Sequence, residues 1–349
     1  MMKAVCFSSY GSDPKKVLSV EEIPKPFIPS EGEEAKNRVL IKVHACALNP
    51  IDKIRLSGGL KMVSPEPFSD RNVLGYDVAG VVEETTSDEF QVGDGVYVRL
   101  KAMEYGALAE YVLCSSEEVA KKPSSISFSE AAAVPLAGLT ALQCLRKGGV
   151  TEGSKVFIPG GAGGVGTLAI QIAKSVLKAS FVCTTASPGV GTELCKKMGA
   201  DRVVDYRSED FEEVLAGEDF DMVFDTMNQG AKMGAILKKG GKVVSISGSP
   251  SVEAIESATG SVGWIPRFFL FMIRNRKAEK AAVGAGGSWE YAFMSPSGSD
   301  LKELAPYLES GDIKAVIDTE AKGLDDFATA VDKLWSGRSK GKCVIKVVQ

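Results

Sequence analysis

The residues with the most specific chemistry lie in KVFIPGGAGGVGTLAIQIAK, residues 155–174, where Gly161, Gly163 and Gly166 fall in G-x-G-x-x-G spacing directly behind a β-branched run. Such spacing suits a dinucleotide's pyrophosphate: glycines permit a tight turn and close backbone approach, and the helix that follows offers N–H groups and the positive end of its dipole. Val165, Leu168, Ala169, Ile172, Ala173 and Val176 recur at helical spacing, giving that helix an apolar face for a sheet. The alternative phosphate cradle, a P-loop, needs Gly-Lys followed by Ser or Thr, and Gly241-Lys242-Val243 lacks it.

The end of the next strand discriminates between cofactors. An Asp or Glu there would bind ribose hydroxyls and repel a 2′-phosphate, whereas this chain has Thr184, Thr185, Ala186 and Ser187, with Glu193 as the first acid. NADP(H) is therefore the expected cofactor, with the hydroxyls of Thr184, Thr185 and Ser187 and the side chains of Lys196, Arg202, Tyr206 and Arg207 as candidate phosphate partners.

Other chemistries are poorly supplied. A single histidine, His44, removes every two-histidine metal site, and it reads as a strand residue rather than a catalyst. The cysteines number seven and form no C-x-x-C pair, so they read as small buried hydrophobes. Tyr97 and Lys101 form a Y-x-x-x-K pair, but on a β segment ahead of the glycine loop, where it reads as coincidence. Lys53, with Arg55 beside it, is a candidate hydrogen-bond donor to substrate. A net charge of −4 gives no basic field for nucleic acid.

These residues need a scaffold, and 349 residues with 44% apolar and 25% charged side chains suffice for two domains with their own cores. Residues 1–127 carry short β runs punctuated by Gly and Pro (Lys3–Phe7, Val39–Ala47, Val78–Glu83, Gly95–Leu100, Ala109–Leu113) and read as a mostly β domain. From residue 128 strands alternate with helices (Lys155–Ile158, Ser180–Thr184, Arg202–Asp205, Asp221–Asp225, Lys242–Ile246), the pattern of a doubly wound parallel sheet. The expected class is α/β, with the Rossmann domain over 128–295 and residues 296–349 returning to the first domain through a closing strand at Lys342–Val348.

With these motifs placed, the chain resembles the medium-chain dehydrogenase/reductases, in the zinc-free quinone oxidoreductase branch that includes plant enone and alkenal oxidoreductases. The resemblance rests on ACALNPIDK (45–53), LGYDVAGVV (74–82), VGDGVYV (92–98), GALAEYV (106–112), SFSEAAAVPLAGLTA (127–141), the glycine loop, GADRVVDY (199–206), LKKGGKVVSIS (237–247) and SKGKCVIKV (339–347). It implies a GroES-like first domain. It also implies NADPH-dependent hydride transfer to quinones or α,β-unsaturated carbonyls, whose product charge is delocalised without a Lewis acid. The positions that hold catalytic zinc in metal-dependent relatives read Asn49 and Tyr76-Asp77 here, so no metal is expected and Asn49 and Tyr76 fall where the acceptor's oxyanion forms. Cofactor contacts implied by the resemblance are Thr140, Gly163, Gly164, Val165, Tyr206, Ser247, Gly248 and Arg338, with Phe293 and Met294 lining the nicotinamide. A homodimer is the family's common state. The alternative reading is a non-catalytic NADPH-binding redox sensor or assembly factor on the same fold.

Residues 260–287 interrupt the alternation. Phe268–Ile273 is apolar and Arg274, Arg276, Lys277 and Lys280 follow it, so 264–277 reads as a flap over the acceptor or a peripheral membrane contact. No apolar run reaches the length of a membrane span, and the first residues lack a secretory h-region, so a cytoplasmic protein is expected, or an organellar one if a transit peptide has been removed.

Overall fold

A computed structural model describes residues 1–61, 66, 72–101, 106–249 and 275–348. The chain divides into two compact units, Met1–Leu139 with Pro296–Gln349, and Thr140–Ser295, the division falling inside the helix Pro135–Lys147. Of the segment expected to form a flap or membrane contact, 264–277, residues 264–274 lie outside the described residues. The helix Arg276–Gly284 carries Arg276, Lys277 and Lys280. Among the described residues no helix is long and apolar enough to cross a membrane.

The first unit is built on a seven-stranded sheet and a three-stranded one. The small sheet has β1 (Met2–Phe7) between β2 (Ser19–Ile23) and β4 (Asn72–Val73). The large sheet holds β3 (Arg38–Leu48), β5 (Asp77–Thr85), β6 (Gly95–Arg99), β7 (Tyr111–Ser115) and β8 (Val119–Lys121). It is completed from the far end of the chain by β15 (Ile317–Lys322) and β16 (Lys342–Lys346), with β16 antiparallel to β3. The order β15-β16-β3-β5-β6-β8 makes β3 central, which explains why it is buried nearly end to end instead of alternating. Gly80 is required where β5 presses on β3, since a Cβ there would lie 2.1 Å from the Lys42 carbonyl oxygen. Phe7, Ile41, Leu48, Leu56, Val98 and Ile345 belong to one apolar core beneath these strands.

The second unit contains a six-stranded parallel sheet in the order β11-β10-β9-β12-β13-β14. Its strands are β9 (Lys155–Ile158), β10 (Phe181–Ala186), β11 (Arg202–Asp205), β12 (Phe220–Asp225), β13 (Leu237–Ser245) and β14 (Ser288–Tyr291). This is the doubly wound order of a dinucleotide-binding sheet, whose chain reversal lies between β9 and β12. β10 runs two residues beyond the expected Thr184, which brings Thr185 into the ladder opposite Val204. The helix after β9 spans Gly164–Gln171 and widens into a π turn at Ile172–Val176; Leu168, Ala169, Ile172 and Ala173 are buried.

The residues read as structural behave so. All seven cysteines are buried free thiols. His44 packs its ring 4.3 Å from that of Phe128, and burial pushes its pKa down. Tyr97 is fully buried and donates its hydroxyl to the Leu301 carbonyl (2.6 Å), while Lys101 pairs with Glu118 instead. That hydroxyl ties the helix Gly298–Ser310 to the sheet of the same unit. Tyr97→Phe should cost about 1–2 kcal/mol in chemical denaturation by leaving a buried carbonyl unpaired, with cofactor affinity unchanged.

Candidate functional site

In the parallel-sheet unit the candidate residues collect at the C-terminal strand ends, where ligands bind in such sheets. Thr184 donates its hydroxyl to the Ile158 carbonyl (2.5 Å), and the Thr185 hydroxyl accepts the Gly160 N–H (3.0 Å) while its carbonyl accepts the Gly161 N–H (3.0 Å). Both threonines therefore hold the glycine loop in place, and their hydroxyls are committed to backbone. Thr226, after β12, donates to the Pro159 carbonyl (2.6 Å), and Ser247, after β13, donates to the Thr226 carbonyl (2.7 Å). Asp225 is buried beneath them and accepts the N–H groups of Met227 (3.1 Å) and Gln229 (3.0 Å); desolvation pushes its pKa up.

The glycines separate by what demands them. A Cβ on Gly161 would meet the Thr184 hydroxyl oxygen at 2.1 Å, and one on Gly166 would meet the Gly160 carbonyl oxygen at 2.3 Å, so packing inside the protein requires both. Gly163 is different: its backbone is extended (φ −80°), and a Cβ would only touch the Gly160 oxygen at 3.4 Å. It caps the helix without a side-chain hydrogen bond, and the first turn, Gly164, Val165 and Gly166, carries no acid. The uncrowded cap and the uncapped, acid-free turn fit a pyrophosphate at this point.

The other candidates spread around this crevice. Ser187 is half-buried and its carbonyl accepts the Thr192 N–H (3.1 Å) and hydroxyl (3.2 Å). Arg202 is spent on Glu218 (3.1 Å) and Lys196 on Glu193 (3.6 Å), whereas Tyr206 and Arg207, in the turn after β11, are exposed with no side-chain partner among the described residues. Gly248 adopts φ +85°, which favours glycine. Phe293 is exposed beside Tyr291 (ring centroids 5.1 Å apart), Met294 is half-buried and Thr140 is buried. Arg338 belongs to the other unit and is exposed.

In the first unit, neighbouring strands of the large sheet end in a row of polar side chains. Lys342 opens β16 one place before Cys343, which pairs with Leu48; Asn49 follows Leu48; Asp77 pairs with Ala47 on one side and with Arg99 on the other. The Lys342 ammonium donates to the Asn49 Oδ1 and to the Asp77 Oδ2 (3.0 Å). Asn49 Nδ2 donates to the same Asp77 oxygen (2.9 Å), and the Leu136 N–H supplies the other, Oδ1 (2.8 Å). Asn49 also precedes the helix Pro50–Leu56, whose Asp52 accepts the Asn49 backbone N–H (2.7 Å). Asp52 is fully buried with Oδ1 unpartnered, and desolvation pushes its carboxyl up to about 7. Tyr76 is buried, with the guanidinium groups of Arg55 and Arg99 5.5 and 4.9 Å from its ring centroid. Lys53 is exposed and directs its ammonium to the Trp335 carbonyl (3.4 Å); the lysine at Asn49 is Lys342. No spacing rule links residues 49 and 342; the only sequence signal for Lys342 is its place in SKGKCVIKV.

Comparison with known proteins agrees with both units. Residues 35–124 match the alcohol dehydrogenase GroES-like domain and residues 198–345 match the zinc-binding dehydrogenase model. The chain is 38% identical over 355 residues to a 2-methylene-furan-3-one reductase of Solanum lycopersicum, covering 99% of this chain and 79% of the relative. It is 35% identical to the chloroplastic NADPH-dependent alkenal/one oxidoreductase of Arabidopsis thaliana, over 99% of this chain and 79% of that one. Among solved structures it is similar to the quinone oxidoreductase from Coxiella burnetii, with a TM-score of 0.79, 32% identity and 99% coverage of both chains. The zinc of the second model's name does not suit the residues present. Both Asp77 oxygens are taken, and a divalent cation there would meet the Lys342 ammonium. Among the described residues no group of three His, Cys, Asp or Glu side chains could hold a metal.

Two outcomes follow from this geometry. Gly163→Val should fold with a near-normal melting temperature yet lose NADPH affinity by at least about tenfold in titration calorimetry, whereas Gly166→Ala should lower the melting temperature itself. Asp52, raised in the folded protein from its ordinary 3.8 to about 7, favours its protonated form on folding. Its contribution to stability is full below the unfolded value and is lost as pH climbs to about 7. Denaturation midpoints should fall over that window in the wild type and fall less in Asp52→Asn.

Proposed function

Because the chain belongs to the medium-chain dehydrogenase/reductase superfamily, in its quinone oxidoreductase branch, we propose that it is an NADPH-dependent reductase of quinones and α,β-unsaturated carbonyls that works without zinc. The observation that carries this reading is Gly163, a glycine at a helix start without a side-chain cap that no packing contact among the described residues requires. NADPH, when bound, supplies the hydride. Gly163 and the N–H groups of Gly164, Val165 and Gly166 would hold its pyrophosphate, and Arg207 with Tyr206 and the Ser187 hydroxyl would take the 2′-phosphate, being the members of the candidate set not already committed to an acid or to backbone among the described residues.

The polar row in the first unit supplies the remaining requirement, a donor for negative charge developing on the acceptor oxygen. Asn49 Nδ2 donates to Asp77 (2.9 Å) and, at the longer distance of 3.5 Å, to the Ala47 carbonyl, so the second hydrogen would be the one to turn to the acceptor oxygen; the amide cannot flip, because Lys342 donates to one end while Asp77 accepts from the other. Lys342 delivers this orientation and also a buried positive charge, the role a metal has in zinc-dependent relatives. Acceptors whose reduced form delocalises its charge, into an enolate or an aromatic diolate, need no stronger Lewis acid.

The test follows NADPH absorbance with a panel of quinones and enones, using protein stripped with chelator. Turnover should survive chelation, and kcat/KM should favour NADPH over NADH by at least about tenfold, a preference that Arg207→Ala reduces. NADPH binding without turnover of any acceptor would establish the redox-sensor reading in its place.

A further inference from the structure

Two arginines lie against the Tyr76 ring, and they are not equivalent. Arg55 is satisfied throughout: Nε and Nη2 form a fork on the Glu66 carboxylate (2.7 and 2.9 Å), and Nη1 donates to the Val73 carbonyl (2.9 Å). Arg99, whose guanidinium is 4.9 Å from the ring centroid, is 9% exposed; its Nε is buried with no hydrogen-bond partner, and no hydrogen bond or ion pair reaches its guanidinium from the described residues. The face of Tyr76 offers it a cation–π contact but no acceptor. Of the acids whose charge reaches it, Asp77 is committed to Asn49, Lys342 and the Leu136 N–H, Glu118 pairs with Lys101, and Asp52, whose Oδ1 is unpartnered, holds the Asn49 N–H; among the described residues none of the three forms an ion pair with Arg99.

A guanidinium withdrawn from water without an acceptor is among the costlier features a folded chain can keep. Its planar fork matches a carboxylate, as its twin shows with Glu66. Its place is informative as well, since Arg99 pairs in register with Asp77 and so continues the row Lys342, Asn49, Asp77.

We propose that Arg99 is a specificity residue that binds a carboxylate carried by the acceptor, so that the preferred substrates are electron-poor alkenes or quinones bearing an acid group. This rests on the reductase reading above and narrows its substrate class. A free inorganic anion offers the same chemistry and is separated in the test.

The experiment compares a γ-keto-α,β-unsaturated acid with its methyl ester, which keeps the reducible enone and removes the charge. In the wild type kcat/KM should favour the acid by about tenfold or more, and Arg99→Met should abolish most of that ratio while Arg99→Lys retains part of it. Equal use of acid and ester by the wild type, or an unchanged ratio in Arg99→Met, overturns the proposal and leaves the reductase reading standing. Absence of NADPH oxidation with both compounds, while quinones or other enones are reduced, also overturns the proposal, and absence with every acceptor defeats the reductase reading itself. Inorganic phosphate raising the wild-type melting temperature but not that of Arg99→Met, with no acid preference, assigns the residue to a free anion and also overturns the proposal. Should Arg99→Met not fold, competitive inhibition of the wild type decides the matter: levulinate must inhibit more strongly than its methyl ester, and equal inhibition overturns it.

Discussion

The buried pair between Lys342 and Asp77 is the constraint on which the first unit depends. Both side chains are almost wholly withdrawn from water, at 4% and 0% exposure, so each carries a desolvation cost that only its partners offset. The offset is nearly complete because Asn49 and the Leu136 N–H fill the remaining acceptor positions of the carboxylate. Removing one member would strand the other, typically at a cost of about 3–5 kcal/mol. The pair therefore fastens β16, from the end of the chain, to β3 and β5 from its first third, and orients the Asn49 amide as a consequence of folding. It also decides the chemistry of the place: an ammonium on the carboxylate supplies positive charge and shuts out a second cation.

How much of this was legible in the sequence depends on the range of the interaction. The parallel sheet could be read because its signals are local: β-branched runs, intervening helical periodicity and glycines at fixed spacing each lie within about thirty residues. The strand β10 overran its expected end by only two residues. The polar row could not be read the same way. Its members at 49, 77, 99 and 342 meet through strand register, which no local pattern encodes, so Lys53, four residues after Asn49 in sequence, attracted the role that Lys342 occupies in space. The strands β2, β4 and β8 were missed because they are short and carry few apolar residues or sit against turns.

Polar residue type was also an incomplete guide to ligand contact. Thr184 and Thr185 stand where a phosphate-binding hydroxyl would be expected, yet both spend their hydrogen bonds on the glycine loop. That use is more demanding than ligand binding in one respect, since the loop would otherwise bury unpaired backbone groups of Ile158 and Gly160. Arg202 and Lys196 are likewise absorbed by Glu218 and Glu193. Sequence identifies which side chains have the right chemistry; the structure shows which still have it to spare.

The same criterion, applied to glycine, separates folding from binding. Gly80, Gly161 and Gly166 are explained once neighbouring atoms are considered, because a Cβ on each would collide with a carbonyl or hydroxyl oxygen at 2.1–2.3 Å. Gly163 has no such explanation, in an ordinary backbone conformation with room for a Cβ. Arg99 is its counterpart among charged residues, a buried guanidinium whose partner the described residues do not contain. A small residue with unneeded space and a donor with no acceptor are both costs to the isolated chain, in conformational entropy for the first and desolvation for the second. Where packing and hydrogen bonding among the described residues account for neither, each is a position at which the proposed cofactor or substrate group would supply what the described residues do not.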